Sequence, residues 1–173
     1  QHAVTLGTRN PGETLTRAAS GQERESFGEW KAQHPEVRLG TLPDAADHGE
    51  VAINATAGTA SVEAVQAAGA GHVRGKILID VANPLAFDQG FPPPLAFCNT
   101  DSLGERLQAA LPDTRVVKAL NTLNNAVMVD PGLVPGPHDL FLCGNDRAAK
   151  AAVMGYLAAW FGWGADRMID VGD

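Results

Sequence analysis

Five short groups of residues could carry chemistry, and each follows a run of apolar residues: positions 7–10, 56–58, 82–84, 121–125 and 144–146. All five are small or polar, and only Arg9 and Asp146 are charged. Such groups let a ligand lie against the backbone and hold few proton-transfer side chains. The first group reads Gly-Thr-Arg-Asn before Pro11. Dinucleotide folds commonly place an acidic residue here, on the ribose 2′-hydroxyl. A carboxylate would repel a 2′-phosphate, whereas the hydroxyl of Thr8 and the guanidinium of Arg9 would bind one through charge-assisted hydrogen bonds. Amides of a helix starting at Pro11 would favour the same anion. The plainer alternative is a turn and helix cap beside a solvated Arg9.

The second group overlaps a formal glycosylation sequon, Asn54-Ala55-Thr56, but Thr56, Ala57 and Gly58 read better as the lining of a cofactor path. Asn83 carries an amide that both donates and accepts, which suits a nicotinamide ribose or carboxamide. The alternative is a turn made with Pro84. Lys118 sits late in an apolar run and is expensive to bury unless it meets an anion or a carboxylate. Asp80 on the neighbouring strand would serve equally well. Asn121, Thr122 and Asn124 close that same run.

Other chemistry finds little support. His2, His34, His48, His72 and His138 are scattered, without His-x-His or His-Glu-x-x-His spacing, so no metal ligands are assigned. Ser20, Ser26, Ser61 and Ser102 lack an evident base, and no Gly-x-Ser-x-Gly elbow exists. No catalytic side chain is assigned. A cofactor must then carry the reaction, and hydride transfer suits a protein that mainly positions two rings.

The elements that must position these groups alternate. Strands are expected at 3–6, 37–42, 51–55, 76–81, 115–119, 140–143 and 168–171. Helices are expected at 11–20 (capped by Asn10), 26–34, 59–70, 101–111 and 147–161 (capped by Asp146). Residues 83–100 form the longest irregular stretch. This alternation predicts an α/β fold with an open, mostly parallel sheet and helices on both faces. The 173 residues are expected to form a single domain. Lys and Arg total 13 against 20 Asp and Glu, a formal charge of −7, and no basic cluster invites nucleic acid. No apolar run approaches the ~20 residues of a membrane span. Cys98 and Cys143 show no disulfide or metal spacing, so a reducing cytoplasm is the expected setting.

Taken in order, VTLGTRNP, VAINATAG, KILIDVANPL, NTDSLGERLQ, VVKALNTLNN and LFLCGND resemble the NADPH-dependent oxidoreductases of the coenzyme F420-dependent NADP reductase type. Relatives of that type include the reductase domain of transmembrane metalloreductases. The resemblance runs from about Val4 to Asp173. It implies a Rossmann-like NADP-binding domain that moves a hydride between NADPH and a deazaflavin (coenzyme F420) or a flavin (FAD or FMN). It also implies roles by position. Thr8, Arg9 and Asn10 would hold the 2′-phosphate. Ala55, Thr56 and Ala57 would border the path from adenosine to pyrophosphate. Val81, Ala82 and Asn83 would sit beside the nicotinamide and its ribose, and Asn121 and Thr122 would face the ring stack. The partner would be a small redox acceptor, with homodimer assembly left open. A reductase of a small imine or carbonyl, using Lys118 or Thr122 as proton donor, is a rival reading. So is an NADP(H)-binding module without catalysis.

The pattern departs from the family in two places. The usual first strand and its Gly-x-Gly-x-x-Gly loop are missing, since GAGHVRG at 69–75 has the wrong spacing. The C-terminal helical segment of the family has no counterpart after Asp173. In the 3-2-1-4-5-6 strand order the first strand is central. The strands at 3–6 and 37–42 are therefore expected to lack a hydrogen-bonded neighbour joining them to the rest. The sequence reads as part of a longer protein, or as a chain that rearranges or borrows a strand.

Overall fold

A computed structural model describes residues 2–19 and 25–173. The chain runs β1 (Thr5–Thr8), α1 (Pro11–Thr16), α2 (Phe27–Gln33), β2 (Arg38–Thr41), α3 (Leu42–His48) and β3 (Val51–Asn54). It continues through α4 (Ser61–Ala68), α5 (Ala70–Val73), β4 (Ile77–Asp80), α6 (Leu103–Ala110) and β5 (Arg115–Ala119). It ends with α7 (Asn125–Val129), β6 (Leu140–Cys143), α8 (Arg147–Phe161) and β7 (Met168–Asp170).

Local chemistry sets the helix starts. Asn10, Ser102 and Asp146 each accept a backbone N–H through the side chain, while Ser26 with Glu29 and Thr41 with Asp44 close full capping boxes. Gly162, in the left-handed region at φ 79°, stops α8. Gly69, at φ 85°, splits the helix expected at 59–70 into α4 and α5, after a 3-10 turn at Gly58–Ala60. The helix expected at 11–20 ends at Thr16, and Ser20 lies outside the described residues. Two helices were not foreseen. In α3 only Ala46 is buried, so the stretch shows almost no apolar periodicity. In α7, Val127 and Val129 mask a single helical turn capped by Asn124. The first strand is displaced to Thr5–Thr8, which makes Thr8 its last residue instead of part of the following loop.

The strands form two sheets. β1 and β2 pair in parallel, from Thr5 opposite Arg38 to Thr8 opposite Thr41. The larger sheet has the order β3-β4-β5-β6-β7. Among the described residues no ladder joins the sheets, as the sequence reading expects for the strands at 3–6 and 37–42. The connection is made by α3, which packs on β1, β2, α4 and α5. Lys76 Nζ reinforces it by donating to the carbonyls of Ala46 (2.8 Å) and Asp47 (3.2 Å).

In the larger sheet β3, β4 and β5 are parallel, but β6 runs antiparallel to β5, and β7 follows β6. That reversal corrects one expectation. Residues 144–146 follow β6 and so lie toward the amino end of β5, the opposite end of the strands from the groups after β3, β4 and β5. A Cβ at Gly144 would press on the carbonyl of Val116 near the start of β5, which confirms the placement.

Two apolar layers sandwich the larger sheet. On one face Ile77, Ile79, Val117, Leu140 and Leu142 pack under Val153 and Leu157 of α8. On the other, Leu78 and Val116 pack with Ala46, Val65 and Leu107 from α3, α4 and α6. Burial on both sides makes β4 the strand buried at every residue. Among the described residues no helix is long and apolar enough to cross a membrane.

Each strand of the small sheet has only one partner, whereas β4 is paired on both sides and buried. Hydrogen exchange followed by NMR should therefore show the amides of β1 and β2 exchanging at least about tenfold faster than those of β4 and β5. Equal protection would mean that the two sheets open as one unit.

Candidate functional site

The carboxyl ends of β3, β4 and β5 lie side by side, and their register aligns Asn54, Asp80 and Lys118 in one row. Cys143 of β6 extends the row opposite Lys118. The row lies on the α4–α6 side of the sheet, beneath the first turn of α4. Asp80 and Ser61 are fully buried and Asn54 is 4% exposed. Polar groups so placed have to be hydrogen-bonded.

Asn54 uses its whole amide. Its Nδ2 donates to Ser61 Oγ (3.0 Å) and Asp80 Oδ1 (2.7 Å), and its Oδ1 accepts from the N–H (3.3 Å) and the hydroxyl (2.7 Å) of Thr56. Thr56 and Ser61 hydroxyls meet at 2.9 Å. Lys118 Nζ donates to Asp80 Oδ2 at 2.7 Å and to the carbonyl of Ala82. Lys118 therefore meets the carboxylate that the sequence offered as its alternative partner. Burial pushes the Cys143 thiol up, and the neighbouring Lys118 charge only partly opposes that effect.

A second tier stands above this row. Asn83 Nδ2 donates to the carbonyl of Asn121 (2.6 Å), and Asn121 Nδ2 donates to Asn83 Oδ1 (3.2 Å). Leu120, just before Asn121, occupies the left-handed region at φ 66° while remaining buried. Strain of this kind persists only where the surroundings enforce it. Here it turns the chain so that Asn121 meets Asn83. Gly58 seats the preceding loop directly on the Asn83–Pro84 peptide, where an added Cβ would overlap the Asn83 carbonyl.

The structure thus pairs Asn83 with Asn121 and ties Thr56 and Ala82 to the Asn54–Asp80 row beneath them. Val81 is half-buried against the α8 layer, Ala55 and Ala57 are exposed, and Thr122 is exposed beside Asn121. Thr8, Arg9 and Asn10 are not joined to these groups by any hydrogen bond among the described residues, because they lie at the end of a strand of the small sheet and in the loop after it. Asn10 caps α1, accepting the Glu13 N–H at 3.2 Å, and Thr8 meets the Thr14 hydroxyl at 2.8 Å. Arg9 is exposed and takes part in no ion pair among the described residues. Among the described residues no group of three His, Cys, Asp or Glu could hold a metal ion.

Sequence reasoning passed over Asn54, Ser61 and Leu120. A signal existed for the first of these: VAIN, ILID and RVVK each end an apolar run on a polar residue, so parallel pairing would align all three. Nothing in the sequence marks the backbone of Leu120.

A mostly parallel sheet with helices on both faces, and with amide and hydroxyl side chains at the carboxyl ends of its parallel strands, defines a Rossmann-like α/β protein. No family model matches the chain. A solved structure from Arthrobacter sp. FB24, given as a candidate F420-dependent NADP reductase, superposes with a TM-score of 0.90 at 47% identity, covering 99% of this chain and 74% of that one. A hypothetical protein of Sinorhizobium meliloti superposes with a TM-score of 0.60 at 26% identity, covering 84% and 67%. The curated F420-dependent NADP reductase of Methanocaldococcus jannaschii is 35% identical over 83 residues, 47% of this chain and 37% of that relative. The chain belongs to the family of F420-dependent NADP reductases.

Two outcomes test the packing of the site. Gly58→Ala should lower stability to urea unfolding by about 1–3 kcal/mol, the usual cost of overpacking. Unchanged stability would show that the loop yields freely. In the native protein, exposed Cys98 should react with a thiol reagent well before Cys143, whose thiol is half-buried and harder to ionise. Simultaneous labelling would contradict that placement.

Proposed function

We propose that the chain binds NADP(H) and takes part in hydride transfer between NADPH and a deazaflavin acceptor, the coenzyme F420 of its relatives' names. A flavin such as FAD or FMN would be the chemically closest substitute. The observation that carries this reading is the Asn83–Asn121 amide pair, which stands with the loop of Thr56 at the carboxyl ends of three adjacent parallel strands, where ligands bind in sheets of this kind.

The donor set fits the nucleotide. Arg9, exposed and free of carboxylate partners among the described residues, would hold the 2′-phosphate with Thr8 and Asn10. Ala55, Thr56 and Ala57 would border the adenosine-to-pyrophosphate path, where small side chains leave room. Val81, Ala82 and Asn83 would flank the nicotinamide and its ribose, and Asn121 and Thr122 would face the acceptor. Bound NADPH supplies the hydride. The protein's part is to hold two rings in register and exclude water, for which amides suffice. A small-molecule acceptor and a cytoplasmic setting suit this reading.

The imine or carbonyl reductase reading needs a proton donor beside the nicotinamide. Lys118 is committed to Asp80 and the Ala82 carbonyl, which leaves exposed Thr122. The hydride-only reading asks nothing further of the residues present.

Calorimetric titration tests the proposal. The wild-type chain should bind NADPH more tightly than NADH. Arg9→Ala should weaken NADPH by at least about tenfold, the worth of a charge-assisted hydrogen bond, and NADH by less than about twofold. Equal losses for the two would remove Arg9 from the 2′-phosphate. Mixing the NADPH-loaded protein with F420 and following bleaching of the deazaflavin then tests the transfer itself.

A further inference from the structure

We propose that Asp80 and Lys118 are positioning residues that clamp the Ala82 peptide, and that this clamp governs binding of the nicotinamide half of the cofactor without governing the adenosine half. The inference rests on the cofactor reading above and adds to it a division of labour between the two sheets.

Ala82 is held at both of its backbone polar groups by opposite charges. Its N–H donates to Asp80 Oδ1 at 3.2 Å, and its carbonyl accepts from Lys118 Nζ. The two charges are themselves paired at 2.7 Å. Asp80 is fully buried and the Lys118 side chain is 16% exposed, so solvent does little to weaken the pair. Asn54 adds a donor to Asp80 Oδ1, so that oxygen accepts two hydrogen bonds while Oδ2 faces the ammonium. Asp80 cannot turn toward another partner without abandoning Asn54 and Ala82 together.

Such an arrangement exceeds what strand closure requires. A strand end can be satisfied by neutral donors, and a buried ion pair is a poor source of net stability because desolvating two charges offsets their attraction. What the pair supplies is direction. With both sides of Ala82 fixed, the following peptide has one orientation, and the Asn83 side chain is delivered to Asn121. Loss of the ammonium frees the Ala82 carbonyl and the turn into Asn83. The adenosine-end residues Thr8, Arg9 and Asn10 lie at the end of a strand of the separate sheet and in the loop after it, with no hydrogen bond to any member of the clamp among the described residues. A disturbance at Lys118 therefore reaches one half of the ligand and not the other.

The test compares NADP+ with 2′,5′-ADP, which keeps the adenosine and its 2′-phosphate but lacks the nicotinamide. Lys118→Met keeps the unbranched stem, one atom shorter, and removes its charge. By calorimetry it should weaken NADP+ by about tenfold and 2′,5′-ADP by less than about twofold. An unpaired Asp80 can prevent folding, so Asp80→Asn combined with Lys118→Met gives a neutral pair that retains the contact to Asn54. The same selective loss is expected there, because the Ala82 carbonyl still lacks its donor. Equal losses for both ligands, or none, in the variant that folds would overturn the clamp while leaving the cofactor reading intact. A wild-type chain that binds neither ligand would overturn the cofactor reading and the inference with it.

Discussion

The site follows from one constraint, the burial of β4 on both faces. A strand enclosed in this way accepts apolar residues without cost, and Ile77, Leu78 and Ile79 comply. Asp80 does not. Its carboxylate has no exposure, so it must find charge and hydrogen bonds within its own layer. Parallel register offers two neighbours, Asn54 on one side and Lys118 on the other, and Asp80 takes both. From that necessity come the fixed Thr56 loop through Asn54 and the fixed Ala82 peptide through Lys118. The polar row serves as a foundation beneath the exposed loops.

Much of this architecture was legible in the sequence because it rests on periodic burial. Strands β3 to β5 announce themselves as apolar, β-branched runs, β6 as a short apolar run, and α8 as a long helix capped by Asp146. What could not be read depends on tertiary neighbours. The short helix α3 has one buried residue and owes its stability to the strands and helices it touches. The reversal of β6 is invisible in LFLC, since a strand's residues do not state its direction. That blindness is why residues 144–146 were grouped with loops that lie at the other end of the strands. Within the site, the residue types at 56, 83 and 121 were recoverable, whereas the left-handed Leu120 that aims Asn121 was not. Lys118 and Asp80 were readable as a pair, but their joint hold on Ala82 is a matter of geometry alone.

The division into two sheets has its own physical logic. Parallel strands normally gain from neighbours on both sides, and β1 and β3 each have one. The joint between the sheets is carried by α3, through side-chain packing and two hydrogen bonds from Lys76, and not by a ladder. Such a joint resists separation through apolar burial but has few directional restraints. Val4, just before β1, and Ile53 of β3 are exposed apolar side chains on either side of it.

This arrangement bears on how a dinucleotide would be held. The residues proposed for the 2′-phosphate stand at the end of the small sheet, and those proposed for the nicotinamide stand on the large one. A single ligand engaging both would span a joint that the protein secures only by packing. Part of its binding free energy would then go into fixing one sheet relative to the other. The two ends also differ in preparation. Asn83 is fixed before any ligand arrives, by Asn121 and by the peptide that precedes it, whereas Arg9 is exposed on a short loop and loses side-chain freedom on binding. On the proposed reading, rigidity would be concentrated at the end where ring geometry decides whether a hydride can pass, and freedom would be left at the end where charge alone is enough for recognition.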